Sequence, residues 1–217
     1  GTHRAIARCQ ALARRYRYVL RADVEQHFAA IDHTVLRGIL RRRLPDRSVD
    51  GLIDRIIASG EGVLEQQYRM RWFPGDDLLA ACRPRGLPIG NLTSQFWSNC
   101  YLDPIDHFVK RTVRPGGYLR YVDDFALFDD DKARLWDARE ALIERAAGLR
   151  LTLHETACQV APTASGTPWL GFVIYPRHRR LKARKARHAT RRLRQRYAAW
   201  RAGDISFAEL DASVQGW

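Results

Sequence analysis

The stretch Tyr118–Asp131, YLRYVDDFALFDDD, carries five aspartates within nine residues. Asp123 and Asp124 stand inside an apolar run, between Tyr121-Val122 and Phe125-Ala126-Leu127-Phe128, and Asp129 to Asp131 follow it. Adjacent carboxylates in apolar surroundings repel each other and lose hydration. A hard divalent cation such as Mg²⁺ relieves both costs, because carboxylate oxygens are its preferred ligands. A turn relieves them too, since Asp side chains cap free backbone N–H groups. Taken alone, Asp123-Asp124 fits either reading. Asp76-Asp77, after Pro74-Gly75, and Asp129–Asp131, ahead of a helix-like segment, read as turn or cap residues.

Side chains of a strand alternate faces, so a metal site needs a further carboxylate from elsewhere in the chain. Asp23 supplies one, close to the end of the strand-like stretch YRYVLRADV (16–24). An aspartate on one strand facing an aspartate pair in a hairpin is the layout of a two-metal phosphoryl-transfer site.

The surrounding pattern predicts an α+β fold. Helices are expected over 3–15, over 31–44 with Asp32 near its start, over 47–60 ending at Gly60, over 91–113 with Asn91 or Thr93 as N-cap and Pro104 as a kink, and over 131–150. Strands are expected at 16–24, on both sides of Asp123-Asp124, and at 149–154, 158–161 and 169–176. Residues 61–90, punctuated by Pro and Gly, read as a long irregular segment. A basic helix is expected from His178 to about Ala202, then a short helix from about Ile205. The order of elements implies an α+β layout with a sheet assembled from distant parts of the chain.

The 217 residues contain 37 Lys and Arg against 24 Asp and Glu, a formal charge of +13. The pI is ≈ 10.2. That excess points to an anionic partner, nucleic acid before an anionic membrane surface. From Arg177 to Arg201 there are twelve Lys or Arg and no acid. Such a run reads as a solvated helix face or as a phosphate-binding surface, and its self-repulsion favours the second reading. Arg177, Arg179, Arg180, Lys182, Arg184, Lys185, Arg187 and Arg191 are the candidate nucleic-acid contacts, and His3, Arg4 and Arg8 could add a second contact. No apolar run approaches the ~18 residues of a membrane span, and the basic start lacks a signal peptide's apolar core. Cys9, Cys82, Cys100 and Cys158 have no paired spacing and read as reduced thiols of a cytoplasmic protein.

The ordered motifs resemble those of reverse transcriptases. YVDD (121–124) resembles the family's catalytic box. RADVEQHFAAIDH (21–33) looks like its first metal-binding motif, Asp-x-x-x-x-aromatic. GLPIGNLTSQFWSNCYLDPIDHFV (86–109) is similar to the loop and helix that contact template and nucleotide. GLRLTLH (148–154) resembles the strand behind the site, WLGFVIYP (169–176) the primer-grip hairpin, and the basic helix after it the start of the thumb. The form Ile89-Gly90-Asn91-Leu92-Thr93-Ser94-Gln95 is similar to the enzymes of bacterial diversity-generating retroelements, where group II intron enzymes read P-Q-G-G-x-x-S-P.

The resemblance implies a right-hand polymerase palm, a ferredoxin-like antiparallel sheet with helices on one face. It implies a palm over 1–175, with a remnant of the fingers at its start, and a basic helical start of the thumb over 176–217. It implies RNA-directed DNA synthesis from an RNA template and a DNA or RNA primer with dNTPs. Asp23, Asp123 and Asp124 are the implied catalytic residues; with the Val24 carbonyl they would hold two Mg²⁺ ions, Mn²⁺ being an alternative. Phe28 would lie under the sugar and exclude a 2′-OH, although an aromatic there also reads as ordinary core. Ile89, Gly90 and Gln95 would border the nucleotide, and Asn99 shares a helix face with Gln95. Ile89 stands where the family usually has glutamine, a replacement associated with error-prone copying of template adenines. A basic accessory protein is a further candidate partner. Two departures stand out. His154 occupies a region where the family often has a lysine, and the basic finger motifs are absent, so a palm-centred piece of a longer protein is expected. The competing readings are a group II intron-type enzyme, a non-catalytic RNA-binding protein on a decayed polymerase fold, and, remotely, a nucleotide cyclase palm.

Overall fold

The computed structural model describes residues 1–215, with Arg47, Arg184 and Lys185 described by backbone alone. Its centre is a four-stranded antiparallel sheet of β1 (Tyr18–Asp23), β2 (Gly117–Tyr121), β3 (Asp124–Asp129) and β4 (Gln159–Pro162), in the order β2-β3-β1-β4. Between β1 and β2 the chain forms α2 (His27–Ala30), α3 (His33–Arg43), α4 (Arg47–Ala58) and α5 (Leu92–Phe108); α6 (Lys132–Ala147) links β3 to β4. A strand, helices, a hairpin, a helix and a strand in this order make the expected ferredoxin-like sheet. α1 (Thr2–Arg15) precedes it.

The central strands are apolar on both faces because both faces are covered. Leu20, Ala22, Phe125 and Leu127 point into the larger core, which also holds Tyr101 and Ile105 of α5 and Leu135 and Leu142 of α6. Val19, Ala126 and Phe128 alternate to the other face, where they meet Ile6, Cys9 and Leu12 of α1 together with Trp169 and Ile174. Helices therefore lie on one face as expected, and α1 adds cover on the second. Gly117 permits that: a Cβ there would stand 2.7 Å from a Leu12 methyl.

Several expectations are corrected. Residues 149–154 do not form a strand; only Leu153 bridges to Val24. Arg150 takes φ +57 and its guanidinium reaches Asp76 at 2.6 Å, which turns the chain before it can pair along β1. Residues 169–176 fold back on themselves at Leu170-Gly171, giving β5 (Thr167–Trp169) and β6 (Phe172–Ile174). The basic stretch does not begin as a helix. Arg179–Leu181 forms β7 against β6, and the helix α7 spans Ala183–Ala202, followed by α8 (Phe207–Gln215). Asn91 is the N-cap of α5, but its side chain makes no capping bond; the helix runs through Pro104 and ends in a wider turn over Val109–Val113. Asp32 and Asp131 do cap α3 and α6.

Candidate active site

The sheet brings Asp23 and Asp124 opposite each other, the last residue of β1 paired with the first of β3. Asp123 sits beside them in the two-residue turn Val122-Asp123 that joins β2 to β3. The three carboxylates feel one another. Partial burial, then Asp124, then Asp123 push the Asp23 carboxyl up to about 6 from its ordinary 3.8, against the opposing pull of His154 and Arg21. Burial raises Asp123, a backbone hydrogen bond opposes it, and Asp124 adds a smaller upward push. Arg21, two residues before Asp23 on the same face of β1, donates to Asp124 at 3.1 Å. Among the described residues, no group of three or more His, Cys, Asp or Glu side chains is placed so as to hold a metal ion. The donors that these residues offer at this end of the sheet are hard carboxylate oxygens, the class that Mg²⁺ takes. The bridge to Leu153 uses the Asp23 carbonyl, which accepts from His154 N–H at 2.9 Å, and the Glu25 N–H. It leaves the Val24 carbonyl out of the ladder.

The turn itself is strained. Val122 adopts φ +57, a left-handed conformation that a β-branched residue reaches at a cost of about 1–3 kcal/mol. A partly buried ion pair adjoins it. Arg120 donates through Nε and Nη2 to the two oxygens of Asp106 on α5, at 2.8 and 2.6 Å. Tyr118 Oη donates to the same carboxylate at 2.5 Å. Through Nη1, Arg120 also donates to the Val122 carbonyl and to Asn99 Oδ1, both at 2.9 Å. Asn99, exposed on the same face of α5 as Gln95, is thereby tied to the turn through Arg120. Sequence reasoning missed this network, although a signal for it is present: an arginine inside an apolar strand needs a buried anion.

The residues assigned to the nucleotide differ in their surroundings. Phe28 is half-buried against the larger core, edge-on to His27 at 5.3 Å, and its carbonyl accepts from Leu87 N–H. Ile89 is 66% exposed, and Gln95 is exposed on the first turns of α5. Gly90 takes φ +104, and nothing lies within 4 Å of where its Cβ would stand, so the backbone angle rather than crowding calls for glycine. Gln26 holds the irregular segment by bonding the Arg69 N–H and the Gln67 carbonyl. His154 Nδ1 lies 3.3 Å from Glu25, which also pairs with Arg71 at 2.9 Å. The aspartates read as turn and cap residues hold local backbone: Asp76 accepts from Phe73 N–H, and Asp129 from Gly116, Asp130 and Asp131 N–H. Asp76 has a further role not foreseen, as the buried partner of both Arg83 and Arg150.

No family model and no curated protein matches the sequence. Solved structures do match. The apo telomerase of Candida tropicalis superposes with a TM-score of 0.54 at 10% identity, over 84% of this chain and 36% of that one. The telomerase of Candida albicans, solved in complex with the TWJ fragment of telomeric RNA, gives 0.54 at 12% identity, over 84% of this chain and 33% of the other. A C-terminally truncated form of the Candida tropicalis enzyme gives 0.53 over 83% and 39%.

The fold is reverse-transcriptase-like. The chain spans about a third of the length of these telomerases, and at this identity the likeness speaks for the fold alone.

Beside this reverse-transcriptase-like sheet lies the basic surface. Arg177, Arg179, Arg180, Lys182, Arg187 and Arg191 are all exposed, and no carboxylate pairs with them among the described residues. Arg179 is steadied by Gln10 at 2.8 Å, and Arg180 lies over the Tyr175 ring at 5.6 Å. The side chains of Arg184 and Lys185 lie outside the described residues. No described helix is long and apolar enough to cross a membrane.

Proposed function

We propose that this chain is the palm and thumb-start portion of an RNA-directed DNA polymerase, with the palm over 1–175 and the thumb beginning at 176. The observation that supports the reading is the pairing of Asp23 with Asp124, with Asp123 in the adjoining turn, at one end of a reverse-transcriptase-like sheet. In the reaction the primer 3′-oxygen attacks the α-phosphorus of a dNTP, and the bond to pyrophosphate breaks. Asp23 and Asp123, with the Val24 carbonyl, would hold two Mg²⁺ (or Mn²⁺) ions, with Asp124 in support. Bound there, the ions supply the positive charge that eases loss of the primer hydroxyl proton and departure of pyrophosphate.

The protein's own groups do the rest. The crowded carboxylates favour a cation over their own mutual repulsion. Arg21 keeps Asp124 oriented along the sheet. Phe28 limits the space beneath the sugar, which favours dNTPs. Gly90 gives the loop beside Ile89 and Gln95 its turn, and the exposed cations of β7 and α7 bind template–primer phosphates. RNA as template is the partner that the fold's neighbours favour, since one of them was solved with an RNA fragment. Ile89, with the Gly90–Gln95 pattern, favours a bacterial retroelement of the mutagenic type, cytoplasmic and served by a basic accessory protein. A non-catalytic RNA-binding role is the second reading, supported by the exposed cations of β7 and α7.

The test is primer extension on an RNA template with dNTPs and Mg²⁺, on this chain and on a form extended upstream, each with and without Asp123→Ala. DNA synthesis lost in the Asp123→Ala form supports the polymerase; salt-sensitive RNA binding without synthesis in either form sinks it and leaves the binding module.

A further inference from the structure

We propose that Arg120 is a positioning residue that aims Asp123, acting as a fork carried by Asp106 and Asn99 and gripping the strained turn through the Val122 carbonyl. The inference rests on reading the Asp23–Asp123 site as one of phosphoryl transfer.

The geometry is specific. The Arg120 side chain is 12% exposed and that of Asp106 17%, so the pair is shielded from water. The guanidinium donates twice to Asp106, once to Asn99 Oδ1 and once to the Val122 carbonyl. A planar fork holds such a set at once, whereas an ammonium on a flexible stem does not. Its partners are fixed in turn. Tyr118 Oη donates to Asp106, and Asn99 Nδ2 donates to the Gln95 carbonyl one helical turn back, at 3.0 Å. The load sits on one peptide. The Val122 carbonyl belongs to the residue at φ +57, and the next residue is Asp123. A β-branched residue leaves that conformation readily unless something over-determines it. Rotation of the Val122–Asp123 peptide would swing the Asp123 carboxylate away from Asp23 and Asp124. Arg120 does not reach the reacting atoms; it acts through the turn.

Arg120→Ala would strand a largely shielded carboxylate and risks the fold. The informative variants are Arg120→Lys, which keeps the charge but not the fork, and Asn99→Ala, which removes one anchor. Two readouts are needed. The first is amide hydrogen exchange over residues 122–125 against β1 and β4. The second is kcat and KM for dNTP in primer extension, on whichever form of the chain is active. For Arg120→Lys we expect exchange in the turn at least tenfold faster with β1 and β4 unchanged, kcat at least tenfold lower, and KM within twofold. Asn99→Ala moves both in the same direction by a smaller factor. Unchanged exchange in the turn overturns the proposal whether or not the chain polymerises. Faster exchange with unaltered kcat overturns it as well, because the turn would then not govern Asp123. If the unmodified protein makes no DNA, the polymerase reading falls, and exchange alone decides whether Arg120 holds the turn.

Discussion

Removing the charge of Asp23 should stabilise the metal-free protein at neutral pH. Burial and two carboxylate neighbours raise this group from 3.8 to about 6. The native state therefore holds the proton more tightly than the unfolded chain does. Where the native state binds more protons, stability falls as pH rises. Below about pH 4 both states are protonated and Asp23 carries no penalty. The penalty grows through pH 4–6 and is complete above it. Two pH units correspond to about 3 kcal/mol. The site is only half-buried, and solvent screening reduces that to ~1–1.5 kcal/mol. Asp23→Asn should then unfold about 2–6 °C higher than the unmodified protein at pH 7.5 in EDTA. The two should converge at pH 4. Thermal melts followed by circular dichroism across pH 4–8 measure the difference directly. Added Mn²⁺ should reverse the order, stabilising the native Asp23 form and leaving Asp23→Asn almost unmoved. An Asp23→Asn protein no more stable than its parent at pH 7.5, or a gap that does not change with pH, would refute the reasoning.

Three further outcomes are expected. His27 is buried with Nε2 on Ser98 Oγ at 2.7 Å, and burial followed by the Arg120 charge lowers it to about 4. The unfolded chain takes up this proton first, so stability should fall by up to ~3 kcal/mol as pH drops from about 6.5 to 4, and urea titrations of His27→Gln should lose that slope. Val122→Asn should raise stability in urea titrations by up to ~1 kcal/mol with the m-value unchanged, because asparagine tolerates the left-handed region; a lowered midpoint contradicts the strain. Arg177→Ala with Arg180→Ala should weaken RNA binding and flatten its salt dependence, by about 0.7 in the log–log slope for each single-strand phosphate no longer neutralised; an unchanged slope places the RNA elsewhere.

Much of the site was legible in the linear chain because it is made of local conflicts. An aspartate near the end of an apolar strand, and two more inside an apolar hairpin, are costly unless they meet, and in the sheet Asp23 and Asp124 do pair. The order of strand, helices, hairpin, helix and strand pointed to an α+β fold, and the resemblance of its motifs pointed to the ferredoxin-like layout. The one-signed run from Arg177 onward announced an exposed surface without saying how it is built; only pairing with β6 turns its first residues into β7.

What the sequence could not supply depends on distance between segments. Arg120 and Asp106 are 14 residues apart, and neither hydropathy nor spacing says that they meet beside the turn. Arg150 left the expected strand for Asp76, 74 residues upstream, in a loop with no period of its own. Residues 169–176 bend because Trp169 and Ile174 both reach the core behind β3, which one straight strand would not allow. By itself, then, the sequence determined which residues are apolar, which carboxylates conflict with their surroundings and where the positive charge lies. The tertiary structure alone decided which charges are paired with one another and which remain for a partner, because pairing is set by contacts between elements far apart in the chain.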